Sequence, residues 1–192
     1  MRKALFVLLA GLCLGAFLGS PAPAGAATLA GVTLPDKVDI NGQALVLNGL
    51  GLRTKFFIKV YVGGLYLPAR EHDAARILAT DAARRMELHF LYSVKAEQMC
   101  DAWNEGLADN SPKAPAEVQQ GFKTLCSWME PIPKGKALIL TYLPGQGTTV
   151  EVNGKVKGTL PGKATADAIL ATWIGPKPGP GEDFKKAVVG IR

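Results

Sequence analysis

From Leu47 to Pro68 the chain reads LNGLGLRTKFFIKVYVGGLYLP, a run of β-branched, aromatic and leucine residues too apolar for a strand with one wet face. Between Phe56 and Leu67 the pattern suits a strand covered on both sides, which commits the chain to a sheet inside a core. Gly49, Gly51, Gly63 and Gly64 strip side chains from that sheet and leave room for a close backbone approach or a ligand. Arg53, Lys55 and Lys59 are then anomalous. A charge enters an apolar layer only when it is paired, when its stem carries the head to water, or when it meets a ligand.

The first residues, MRKALFVLLAGLCLGAFLGSPAPAGAA, combine a basic start at Arg2 and Lys3, an apolar run from Ala4 to Leu18, and a small-residue cleavage site at Ala24-Gly25-Ala26. That is the pattern of a secretory leader. A retained anchor needs about 20 apolar residues and fits poorly with Pro21 and Pro23. Cys13 follows Leu12 rather than the small residue that lipid attachment requires. The expectation is a leader over residues 1–26, a single domain over 27–192 with no further apolar span, and an exported, periplasmic location. The chain carries 22 Lys and Arg against 16 Asp and Glu. Two of the basic residues lie in the leader and no basic run interleaves with aromatics, which argues against nucleic acid and fits an acidic ligand. Export would take Cys100 and Cys126 into an oxidising compartment, and each sits in a helical pattern. They bridge if those helices pack side by side, or stay as two buried thiols.

The remaining pattern alternates in blocks. Short extended pieces run from Gly31 to Ile40, and Asn41-Gly42 signals a hairpin turn before Ala44 to Leu50. Glu71 to Ala79 reads as a short helix. Arg84 to Tyr92 alternates, with Met86, Leu88 and Phe90 on one face and Glu87 and His89 on the other. Helices follow over Lys95 to Leu107, with Met99, Trp103 and Leu107 on one stripe, and over Pro115 to Met129. Strands at Ala137 to Leu143, Thr148 to Val152 and Lys155 to Thr159 form a meander around Asn153-Gly154, and helices at Ala164 to Ile174 and Glu182 to Val189 close the chain. Helices segregated from an antiparallel sheet make this an α+β fold.

Catalytic motifs are scarce. GLGLRT lacks the signature and spacing of a phosphate loop, there is no G-x-S-x-G elbow, and the only histidines, His72 and His89, have no companions for a metal. No cofactor is expected. A polar minority that includes Arg53, Tyr61 and Thr172 stands in apolar surroundings, as in a small-molecule pocket.

FIKVYVGGLYLP, preceded by GLGLR and followed by AILATWIG, resembles the chalcone isomerase fold family, and GQGTTVEVNGKVKGTLPG resembles its exported bacterial branch. The resemblance implies an open-faced antiparallel sheet packed against a layer of helices, with a ligand cleft between them. Plant members close a chalcone to a flavanone, and relatives without that activity bind fatty acids. By the same resemblance, Arg53 matches the arginine that steadies a ligand anion and Thr172 matches a threonine lining the cleft. Tyr61 stands where the enzymes carry a catalytic threonine, as in the fatty-acid-binding members. Met99 and Gly106 occupy the positions of a tyrosine and an asparagine that the enzyme needs.

Without those donors a developing ketone oxyanion has no partners, whereas an arginine and a phenol suffice to hold a carboxylate. The reading is a non-catalytic binding protein for a fatty acid or another small hydrophobic carboxylate, through Arg53, Tyr61 and Thr172. Its rivals are an isomerase acting on an enone and an envelope interaction module whose cleft is filled by Trp103, Met99 and Trp173. One geometric condition applies. Eight residues of straight strand separate Arg53 from Tyr61 by about 26 Å at roughly 3.3 Å per residue, so a shared clamp requires the chain to reverse or bulge between Thr54 and Phe57, where no Gly or Pro marks a turn. Each residue also has a plainer role: Arg53 paired at a sheet edge, Tyr61 in the core, Thr172 as an ordinary helix residue.

Overall fold

In the computed structural model, residues 25–191 are described; the expected leader, apart from Gly25 and Ala26, lies outside them. A two-stranded hairpin, β1 (Ala26–Leu29) and β2 (Val32–Pro35), precedes a seven-stranded sheet. That sheet comprises β3 (Lys37–Ile40), β4 (Gln43–Lys55), β5 (Ile58–Leu67), β6 (Arg84–Phe90), β7 (Ala137–Leu143), β8 (Gly147–Val152) and β9 (Lys155–Leu160), all antiparallel and in sequence order. Helices α1 (Ala74–Ala79), α2 (Ala96–Asn110), α3 (Ala116–Ser127), α4 (Lys163–Ile174) and α5 (Glu182–Val188) complete the α+β architecture.

The alternation read in Arg84 to Tyr92 sets the layers. Met86, Leu88 and Phe90 face inward, opposite Leu140 and Leu138 of β7 and Leu65, Gly63 and Tyr61 of β5. Upon this face lies α4, buried from Thr165 to Ile174 except at Asp167. A helix that is apolar all round needs cover on every side, and α2 and α3 pack against its other flank. Cys100 and Cys126 join α2 to α3 in a disulfide with the Cα atoms 5.1 Å apart. The outer face has a smaller core, where the β1–β2 hairpin lays Leu34 over Leu45, Leu47 and Tyr66. Beside it Glu87 is 6% exposed, bonded to Arg85 Nε at 2.6 Å and His89 Nε2 at 3.1 Å.

The Leu47–Pro68 segment needs one correction. It is a hairpin, not a run that becomes strand at Phe56. Phe56 and Phe57 form its two-residue turn with φ of 48° and 67°, the type I′ geometry whose twist suits antiparallel strands. Asn-Gly is the usual signal for such a turn, and no sequence rule reads one from Phe-Phe. Lys55 and Lys59 therefore flank an exposed tip rather than entering an apolar layer. From Tyr61 to Leu67 every residue of β5 is buried, as the composition requires.

The glycines of β4 and β5 admit protein rather than open space. A Cβ on Gly63 would come within 2.5 Å of Phe184 Cζ, one on Gly51 within 2.8 Å of Phe184 Cδ2, and one on Gly49 would strike the Ala187 carbonyl. Gly49, Gly51 and Gly63 form the track on which α5 lies, whereas Gly64 faces the outer side and admits Leu34. A bulge at Asn48 turns its side-chain amide to the Val188 carbonyl at 3.1 Å and the Glu71 carbonyl at 3.0 Å, fixing the far end of that helix.

Candidate functional site

Reversal at Phe56-Phe57 makes Arg53 and Tyr61 register partners on β4 and β5. Cross-strand partners share a face with Cβ atoms about 5 Å apart, so the condition for a shared clamp is met. Both project to the inner side, with Tyr61 continuing onto Phe90 of β6.

Tyr61 is 6% exposed and boxed by aromatics, its ring centroid 5.4 Å from Phe90 and 5.7 Å from Phe184 in an edge contact. Its hydroxyl accepts the Trp173 Nε1–H at 3.1 Å. No acceptor for the hydroxyl's own proton occurs among the described residues. Burial pushes the Tyr61 pKa up to about 12, against the pull of the Arg53 charge and the Trp173 hydrogen bond. The phenol is thus a neutral donor at physiological pH, held in low dielectric beside a guanidinium.

Arg53 is half-buried and donates from Nη1 to the Gly179 carbonyl at 2.6 Å. Gly179 belongs to the GPKPGPG loop between α4 and α5, which its own N–H ties to the Thr172 carbonyl at 2.9 Å. Lys185 Nζ holds the Gly175 carbonyl at 2.9 Å. The arginine therefore latches this loop over the hairpin.

Thr172 does not join the pair. Its hydroxyl donates back to the Ile169 carbonyl at 2.8 Å, and a Cβ on Gly106 would lie 2.7 Å from its Cγ2. It faces α2, and the next residue, Trp173, is the one that reaches Tyr61. A helix turns about 100° per residue, so a one-residue difference decides which side chain meets the sheet. The sequence pointed to Trp173 only as a filler of the cleft and not as the partner of Tyr61, and it carried no sign of the Gly179 carbonyl or of Phe184 as walls beside the pair. The apolar run of α4 offers no periodicity from which to read a face, and the loop contact is long-range.

Between sheet and helices the space is filled. Trp103 and Trp173 pack edge to face with centroids 5.1 Å apart, Trp103 meets Phe122 at 6.4 Å, and Met99 is 7% exposed. The Trp103 indole N–H is buried without a partner among the described residues. A cavity of about 20 Å³ remains between Leu65, Arg84, Leu140 and Ile169, room for about one water. Among the described residues no cluster of three or more His, Cys, Asp or Glu could hold a metal, and no helix is long and apolar enough to cross a membrane.

The fold is similar to that in a crystal structure of a fatty-acid binding protein from Arabidopsis thaliana, with a TM-score of 0.65 at 18% identity over 86% of this chain and 96% of that one. No curated protein sequence matches the chain. Over residues 26–190 the sequence matches the family described as chalcone isomerase-like. With nearly every described residue inside that match, the chain belongs to the chalcone isomerase-like family.

Proposed function

We propose that this protein binds a fatty acid or a similar hydrophobic carboxylate, with Arg53 and Tyr61 holding the headgroup. The observation that carries the reading is the register pairing of a guanidinium with a buried phenol whose proton has no acceptor among the described residues. A carboxylate offers acceptors to both. Exchanging the neutral Gly179 carbonyl for a charged oxygen strengthens the arginine's bond, since charge-assisted hydrogen bonds are roughly twice as strong as neutral ones. The fatty-acid binding protein of the same fold supports the choice of ligand class. The cavity between the sheet and α4 is about 20 Å³, and the larger one of about 260 Å³ lies on the far side of α4 among Leu78, Val118 and Ala168, so on this reading the acyl chain enters behind Arg53 and Tyr61 by displacing the Gly175–Gly181 loop and Phe184.

Turnover of an enone is not favoured. Met99 and Gly106 bring no donor to a ketone, and Gly106 is packed against Thr172. Export to the periplasm completes the proposal, on the strength of the leader pattern before Ala26. The test is titration of the delipidated protein with a long-chain fatty acid. Arg53→Ala and Tyr61→Phe should each weaken binding, by about tenfold if each removes one hydrogen bond to a charged group. Saturable binding that is unchanged in Arg53→Ala sinks the headgroup assignment.

The filling of the interface by Trp103, Met99 and Trp173 favours a second reading, an interaction module without a ligand. Native mass spectrometry of gently purified protein separates the two. Co-purified fatty acid supports the first, and its absence together with no uptake on titration supports the second.

A further inference from the structure

Six large hydrophobic side chains are exposed among the described residues, and five of them lie at one end of the sheet. Phe57 is 102% exposed, Phe56 84%, Val156 65%, Tyr92 54% and Ile58 44%. That end collects the β4–β5 turn, the loop after β6, the loop before β7 and the β8–β9 turn. The hairpin tip stands beyond its neighbour, because β6 stops at the register of Tyr61 and only the N–H groups of Leu91 and Tyr92 reach the Val60 carbonyl. Three further residues of β5 put the phenyl rings about 10 Å past the end of β6 at roughly 3.3 Å per residue.

The same end is basic. Lys55 and Lys59 flank the aromatic pair, and Lys134, Lys136 and Lys155 occupy the adjoining loops, all exposed. None of the five has a carboxylate within 4 Å among the described residues. Of the carboxylates nearby, Glu130 is held by Lys157 Nζ at 2.6 Å and by Asn153, Glu97 sits in the first turn of α2, and Glu151, half-buried, pairs in register with Val156 one residue inside the β8–β9 turn, which leaves the five lysines in excess. Asp39, Glu71, Asp73 and Asp81 all fall at the opposite end, beside the β3–β4 turn and the α1 loops. The Phe-Phe turn is also strained. Positive φ is a genuine outlier for a bulky residue, and here it is adopted twice to present rings that touch almost nothing. Lys55 Nζ lies 6.0 Å from the Phe56 centroid.

From this placement we propose that this end of the sheet docks on an anionic lipid bilayer, with Phe56, Phe57 and Ile58 inserted at the headgroup boundary. Lys55, Lys59 and the loop lysines then meet lipid phosphates. Apolar projections of about 5–10 Å inside a basic ring are what interfacial insertion requires. Charge complementarity selects an anionic surface over a neutral one or a second copy of this basic end, which would repel. The inference does not rest on the carboxylate reading, although Arg53 lies two register pairs inside the Lys55–Ile58 pair at the tip and such docking would bring its site to the lipid.

The test is vesicle flotation with the chain from Gly25 onward, which contains every element of the described residues. Vesicles of phosphatidylcholine alone are compared with a mixture containing phosphatidylglycerol. The protein should float with the anionic vesicles only, and raised salt should release it. Replacing the turn with F56N/F57G, a pair suited to type I′ geometry, keeps the hairpin and should lower partitioning by roughly tenfold or more as two rings leave the interface. Lys55→Gln and Lys59→Gln should each cost about fivefold. Equal flotation of F56N/F57G and the parent chain, equal flotation with neutral vesicles, or no flotation at all overturns the proposal. Dimers abolished by F56N/F57G, without flotation, assign the tip to a protein contact instead. Fatty-acid titration of F56N/F57G in vesicle-free buffer should match the parent chain, so failure at the membrane stays distinct from failure at the Arg53 site.

Discussion

Replacing Phe56-Phe57 with Asn-Gly should stabilise the protein, although it deletes two of the largest side chains in the hairpin. At φ of 48° and 67° both residues sit in the left-handed region, which costs an L-residue about 1–2 kcal/mol. Asn relieves part of that cost and Gly all of it. Against the gain, glycine returns about 0.5–1 kcal/mol through its freedom in the unfolded chain. The Lys55 contact to the Phe56 ring, 6.0 Å away and exposed, forfeits about 0.5 kcal/mol. Burial contributes little to the balance, since Phe57 is 102% and Phe56 84% exposed. The net is a gain of about 1 kcal/mol, a rise in Tm of roughly 2–4 °C for a domain of this size. Thermal melts followed by circular dichroism, with urea titration at fixed temperature, measure it directly. A variant that melts several degrees lower would refute the reasoning, because the rings would then be making stabilising contacts that the geometry does not contain. A gain in stability combined with loss of vesicle binding would show two phenylalanines retained at the expense of the fold.

Further outcomes follow from other contacts. Gly49→Ala drives a methyl into the Ala187 and Val188 carbonyls, both backbone, so α5 must shift; the expected loss is about 1–3 kcal/mol by urea denaturation. Replacing Cys100 and Cys126 with alanine opens a 26-residue separation and should lower stability by about 3 kcal/mol on a chain-entropy basis, with the native circular dichroism spectrum retained at low temperature. Burial alone would raise the Glu87 pKa, but the His89 hydrogen bond and the Arg85 charge outweigh it and hold the carboxyl below its ordinary range. A depressed folded pKa gives stability that is present above the unfolded value and lost as pH falls through the folded one. Acidification below the ordinary glutamate range should therefore weaken the parent more steeply than Glu87→Gln, read from denaturation midpoints across that window.

Much of this protein was legible in its residues. The period-two alternation of Arg84 to Tyr92, the Asn41-Gly42 and Asn153-Gly154 turns and the apolar run before Ile174 each report local geometry. Local geometry is what propensity and periodicity encode, so the α+β class, the helix and strand order and the buried character of β5 could be read directly. The partnership of Arg53 with Tyr61 was legible only as a condition, that the chain reverse between Thr54 and Phe57. Tertiary structure met that condition at a Phe-Phe pair which local preference disfavours, because the ladder on either side fixes the turn whatever residues occupy it. It likewise decided that Trp173 rather than Thr172 reaches the tyrosine, since the rotation of a helix buried on all sides is set by packing against Gly106 and the sheet. The glycines were read as room for a backbone or a ligand, and only the folded chain showed α5 and Phe184 lying over Gly49, Gly51 and Gly63, and Leu34 over Gly64. The sequence by itself thus determined which residues must be inside and where the chain turns by preference. Which of them meet across the sheet, and which are pushed out to solvent at the hairpin tip, was decided by long-range pairing that no local pattern contains.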